Sequence, residues 1–127
     1  MINNRYDFVI LFDIENGNPN GDPDAGNSPR VDAETGYGFV TDVCIKRKIR
    51  NYVELIKEGE AGYNILIKPD KSLNEKFTEA YEENGLKLKQ KGKNIDDVKK
   101  ARDYICKNYF DVRTFGAVMS TGDDPCG

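Results

Sequence analysis

Four cations crowd one short stretch of this chain: Lys46, Arg47, Lys48 and Arg50, with no acid between Val43 and Val53. At about 100° per residue, a helix there sets Lys46, Arg50 and Lys57 along one flank, Arg47 opposite, and Lys48 on the other flank. Such an edge, following a glycine-rich segment, offers a phosphate backbone side-chain cations, loop amides and the free N–H groups of the first helical turn. A solvated face has the same composition, and both readings stand. Downstream, Arg113 and Phe115 precede Gly116, a combination that can pair a phosphate and stack a base, or equally form core with a charged edge.

A second set of residues is acidic. Asp13, Glu15, Asp22, Asp24, Asp32 and Glu34 have the chemistry to hold a hard divalent metal and hydrolyse a phosphodiester, or simply to shape solvated turns. Asn16, Asn18, Asn20 and Gly21 match positions 1, 3, 5 and 6 of a calcium-binding EF-hand loop, but position 12 falls on Asn27 where a bidentate Glu is needed. No Gly-Lys-Ser/Thr follows the glycines, so they spell no P-loop. With His 0, serine triads, Cys/His dyads and His-based zinc sites are excluded.

The chain of 127 residues is one domain or part of one. Leu, Ile, Val and Phe exceed the fifth of a chain below which charged sequences stay disordered, so a small core is expected. Lys+Arg 19 against Asp+Glu 22 leaves a net charge of -3. Any nucleic-acid site must therefore be a local patch. Three separated cysteines, Cys44, Cys106 and Cys126, fit a reducing cytoplasm rather than a disulfide scaffold; Cys44 and Cys106 read as ordinary thiols. No secretory leader and no run near 20 apolar residues is visible, so no membrane is expected.

These residues need elements to position them. Residues 6–15 (YDFVILFDIE) are β-branched and aromatic and predict a strand buried on both faces. Residues 16–38 hold five glycines and three prolines and predict a loop, long enough to be functional. Thr41 predicts the N-cap of a helix to about Glu58, stopped by Gly59. Its stripe of Ile45, Ile49, Tyr52, Val53 and Ile56 should pack on the first strand, with Ile49 facing the core. Residues 63–68 predict a second strand. Ser72 should cap a helix to about Asn84, and Asn94 another through Lys107, with a basic connector at 87–93 between them. Residues 110–120 mix periods, leaving helix or strand open.

The order of these pieces resembles a known family. Asp-Ile-Glu-Asn-Gly-Asn-Pro-Asn-Gly-Asp-Pro from Asp13 to Pro23, Pro-Arg-Val-Asp from Pro29, Thr-Asp-Val-Cys-Ile-Lys-Arg-Lys-Ile-Arg from Thr41, and Asp-Val-Arg-Thr-Phe-Gly-Ala-Val-Met-Ser-Thr-Gly from Asp111 to Gly122 resemble the RAMP-superfamily backbone subunit of CRISPR type I surveillance complexes (Cascade). Type I-C is nearest, with type I-B next; the middle, about residues 60–107, is less diagnostic. The resemblance implies an α+β, modified ferredoxin-like or RNA-recognition-motif fold, incomplete here because family members are roughly twice this length. The chain is thus expected to be an N-terminal portion, with residues 16–38 a loop inside the single domain 1–127.

The function implied is non-catalytic: copies stack helically along CRISPR RNA beside other Cascade subunits and present the guide to target DNA. No cofactor or metal is implied. By position, Arg30, Thr41, Lys46, Arg47 and Arg50 match the family's guide-gripping loop and helix, and Arg113, Phe115, Gly116 and Ala117 the Phe-Gly segment beside it. Two rivals remain: a metal-dependent ribonuclease of the type III-like branch, using Asp22, Asp24 or Asp32, and a small calcium-binding or protein-interaction domain.

Overall fold

The computed structural model describes residues 4–89 and 92–127. Residues 1–3 of the leader reading, and Gln90 and Lys91 of the basic connector, lie outside the described residues. The chain divides into two compact units, Met1–Ile45 and Lys46–Gly127. Helices and one small antiparallel sheet together make an α+β architecture, as an incomplete ferredoxin-like fold would have. Among the described residues no helix is long and apolar enough to cross a membrane.

In the first unit, the expected strand at 6–15 is corrected: no strand is assigned there. Phe8, Val9 and Leu11 are 80%, 83% and 90% exposed. A strand is held by a ladder and by burial of its faces; strand-forming residue types alone supply neither.

The following loop is more ordered than its composition indicates. β1 (Gly21–Asp22) pairs antiparallel with β2 (Ser28–Pro29) around a 3-10 turn at Pro23–Ala25. The Asp22 carboxylate accepts from the Asp24 N–H, and Gly26 and Asn27 take positive φ to close the ribbon. Gly21 faces Asn27 so closely that a Cβ would lie 1.9 Å from its Oδ1, so a side chain there would have to displace the Asn27 amide. Asp32 then folds residues 32–37 into a second turn by accepting from the Glu34 and Thr35 N–H groups at 2.9 and 2.8 Å.

Helix α1 (Asp42–Ile56) begins after Thr41, whose Oγ1 accepts from the Cys44 N–H at 3.2 Å. The Thr41 N-cap is thus in place, and the helix ends at Ile56, two residues before the expected last residue, Glu58. Its apolar stripe is another correction. No residue of α1 is buried: Ile45, Ile49 and Val53 are half-buried, while Tyr52 and Ile56 are 61% and 51% exposed. Periodicity picks out the apolar side of a helix but not the depth to which it is covered.

The second unit holds the core. α2 (Leu73–Glu83) starts in a capping box: the Ser72 hydroxyl accepts from the Glu75 N–H, and the Glu75 carboxylate accepts from the Ser72 N–H. α3 (Ile95–Asn108) is capped by Asn94, whose side chain accepts from the Asp96 N–H. α4 (Phe110–Phe115) follows after one residue, settling the start of 110–120 as helix. Leu66, Phe77, Ala80, Tyr81, Ala101, Ile105, Val112, Met119 and Cys126 pack into one cluster. Burying each large side chain there contributes about 1.5–3 kcal/mol. The strand expected at 63–68 is corrected to a single parallel bridge, Asn64 to Tyr109. That bridge draws residues 64–67 alongside the α3–α4 corner, with the Phe110 N–H donating to Asn64 O at 2.9 Å.

Candidate nucleic-acid interface

In the second unit, two helices each offer a pair of residues one turn apart. Lys46 and Arg50 are i and i+4 on α1, and Asp111 and Phe115 are i and i+4 on α4, so each pair shares one face of its helix. The four side chains meet. Arg50 donates from Nε to Asp111 Oδ2 at 2.9 Å, and its guanidinium carbon lies 4.9 Å from the Phe115 ring centroid. The Lys46 ammonium lies 5.9 Å from the same centroid. Each cation over a ring contributes about 0.5–2 kcal/mol, more as water is excluded.

Asp111 anchors this cluster. Its side chain is 1% exposed, and besides Arg50 it accepts from the Leu66 N–H at 2.8 Å and the Ile67 N–H at 3.1 Å. A buried carboxylate is tolerated only when charge and lone pairs are both satisfied. Here a guanidinium and two amides do so, tying α1, α4 and residues 66–67 together. Sequence reasoning missed Asp111 as a site residue. The signal was present: an acid inside an apolar segment, one helical turn before the aromatic.

Other expected site residues are held elsewhere. The Arg47 Nη2 donates to Ile67 O at 2.9 Å. Arg113 turns toward the end of α3, where Nη1 donates to the carbonyls of Cys106 at 2.7 Å, Lys107 at 2.9 Å and Tyr109 at 3.3 Å, and Nη2 to that of Gly62. The Cys106 and Lys107 carbonyls belong to the last turn of α3, where a helix C-terminus leaves carbonyls without partners. Arg113 therefore closes α3 and does not join the Phe115 cluster. Gly116, at φ 74°, ends α4 with its N–H on Val112 O, and Ala117 packs against the core. On the same flank as Arg50, Lys57 pairs with Glu60 at 2.8 Å and lies 5.0 Å from the Tyr63 centroid; the Glu60 hydrogen bond raises its pKa.

Arg30 and Thr41 belong to the first unit. Arg30 stands 4.0 Å from Asp22, and among the described residues its buried Nε has no hydrogen-bond partner. The Thr41 N–H and hydroxyl both donate to Asn20 Oδ1 at 2.9 Å. Asn18 donates to Asn27 O at 2.6 Å and Asn20 to Gly21 O at 3.4 Å, so two of the asparagines in the calcium-like spacing serve the loop's own backbone.

Two acids of the ribonuclease reading, Asp22 and Asp32, are engaged in turns. Asp22 caps the 3-10 turn, and Asp32 has its carboxyl held below its usual value by the Thr35 and Glu34 N–H groups. Among the described residues, no three His, Cys, Asp or Glu side chains are grouped to hold a metal ion.

Sequence comparison adds the family. A family model described as "CRISPR-associated protein Cas7" matches residues 4–127. The chain belongs to the Cas7 family. A relative from Haloferax volcanii, named CRISPR-associated protein Cas7, is 28% identical over 117 residues. The match covers 92% of this chain and 33% of the relative, so the chain spans about a third of the length of the Cas7 protein it matches.

Proposed function

We propose that this Cas7-family chain is a guide-binding, non-catalytic portion of the backbone subunit in a CRISPR type I interference complex, of type I-C character. On this reading it is the N-terminal part of a modified RNA-recognition-motif domain. Copies assemble along CRISPR RNA with other Cascade subunits and present the guide for pairing with target DNA. The observation that carries the reading is the meeting of Lys46 and Arg50 over the Phe115 ring. Two cations beside an aromatic supply charge for ribose-phosphate and a surface for a base, without reading base edges. Recognition through charge and shape makes binding indifferent to guide sequence. Arg47, Arg113, Gly116 and Ala117 are the further RNA-binding candidates of the second unit, and Arg30 and Thr41 are those of the first.

The test is a titration of the full chain with two single-stranded RNAs of unrelated sequence. Lys46→Ala should weaken both alike and flatten the dependence of log affinity on log salt by about 0.7. An unchanged slope, or a loss confined to one RNA, would reject the role of Lys46. Cleavage of either RNA in magnesium, abolished by Asp22→Ala, Asp24→Ala or Asp32→Ala, would replace the binding reading with the enzymatic one.

A further inference from the structure

We infer that Asp111 is a positioning residue for guide binding: it holds the Arg50 guanidinium across Phe115 through Nε, leaving the two terminal nitrogens to meet ribose-phosphate. The inference rests on the guide-binding reading and deepens it. Asp111, at 1% exposure, is itself too buried to touch a ligand.

Three features of the geometry carry the argument. First, Asp111 is fixed before it acts on Arg50, because the Leu66 and Ile67 N–H groups hold its two carboxylate oxygens. Second, the Arg50 contact uses Nε. The Arg50 side chain is 11% exposed, and among the described residues neither terminal nitrogen makes a hydrogen bond. A guanidinium oriented through Nε presents a planar edge with two donors, the geometry that matches a phosphate bidentately. Third, the guanidinium lies 4.9 Å from the Phe115 centroid, which restricts rotation of the plane and places the donor edge beside a surface suited to a base. Neutralising a buried acid needs only a positive charge. Holding an arginine over a ring through Nε, with its terminal nitrogens not used for the Asp111 contact, does more than that, and preorganisation of this kind lowers the ordering cost of binding.

A double-mutant cycle on the full chain tests this. RNA affinity is measured against salt for wild type, Asp111→Asn, Arg50→Gln and the double variant, with circular dichroism confirming folding. Asp111→Asn should lower RNA affinity about tenfold and make the salt slope shallower, yet change affinity less than about twofold when Arg50 is already Gln. A similar loss in both backgrounds, or none in either, overturns the inference. If Asp111→Asn fails to fold, Arg50→Lys decides. It keeps a cation for Asp111 but loses the planar fork, and about a tenfold loss is expected; wild-type affinity overturns the inference. Failure of the wild-type chain to bind RNA rejects the guide-binding reading and the inference together. Wild-type binding without coupling between Asp111 and Arg50 rejects the inference alone.

Discussion

Replacing Asp124 by Ala should cost the second unit about 3 kcal/mol. The Asp124 side chain is 2% exposed and Lys93, its ion-pair partner, 9% exposed. Asp124 Oδ1 also accepts from the Lys89 N–H at 2.7 Å, and Oδ2 from the Thr78 hydroxyl at 3.1 Å. Removing one member of a buried pair costs about 3–5 kcal/mol, because the other charge stays in a poor solvent. The lower end applies. Lys93 keeps a hydrogen bond to Lys87 O at 3.0 Å and lies 3.8 Å from the Tyr81 ring centroid, so it is not left wholly uncompensated. Thr78 and the Lys89 amide are close enough to the surface to recruit water. The assay is urea unfolding of wild type and Asp124→Ala followed by circular dichroism, with a Lys93→Met/Asp124→Ala double variant as control. The double variant should recover part of the loss by removing the stranded charge. A loss below about 0.5 kcal/mol, the size of an exposed pair, would refute the burial reasoning.

The same carboxylate sets an acid limit. Burial is the largest single influence and raises its pKa, but hydrogen bonds from Lys93, the Lys89 N–H and Thr78 together outweigh it and leave the pKa below 3.8. A depressed folded-state pKa means the stabilisation is complete above about 3.8 and is lost as pH falls through the folded value. Asp124→Ala should therefore lose less stability than wild type across that window, which acid titration at fixed urea would read. Ser72→Ala removes the hydroxyl half of the α2 capping box and should cost about 1 kcal/mol, seen as a lower thermal midpoint.

What could be read from the sequence was mainly local. Ser72 and Asn94 announced α2 and α3 to within a residue because a cap and its partner lie three residues apart or fewer. The segment 6–15 went the other way, since strand residue types say nothing about which neighbour completes the ladder. Residues 63–68 are alike in this: β-branched composition suggested a strand, while the Asp111 carboxylate and one bridge to Tyr109 fix the backbone instead. At the candidate site, the i, i+4 spacing of Lys46 and Arg50 was visible, as was Phe115 as a candidate stacking surface. The destination of Arg113 was not, because closing α3 depends on where the chain turns after Asn108. Asp111 escaped for a related reason. A buried acid becomes meaningful only with its partners, and those lie 44 to 61 residues away along the chain.

The most direct test of guide binding is photocrosslinking of the full chain, purified from a host carrying a CRISPR array, followed by mass spectrometry of the RNA-bound peptides. Crosslinks should fall on the peptide containing Phe115, to RNA of varied sequence. Co-purified RNA joined only to peptides outside the Lys46, Arg50 and Phe115 cluster, or no co-purified RNA at all, would contradict the account.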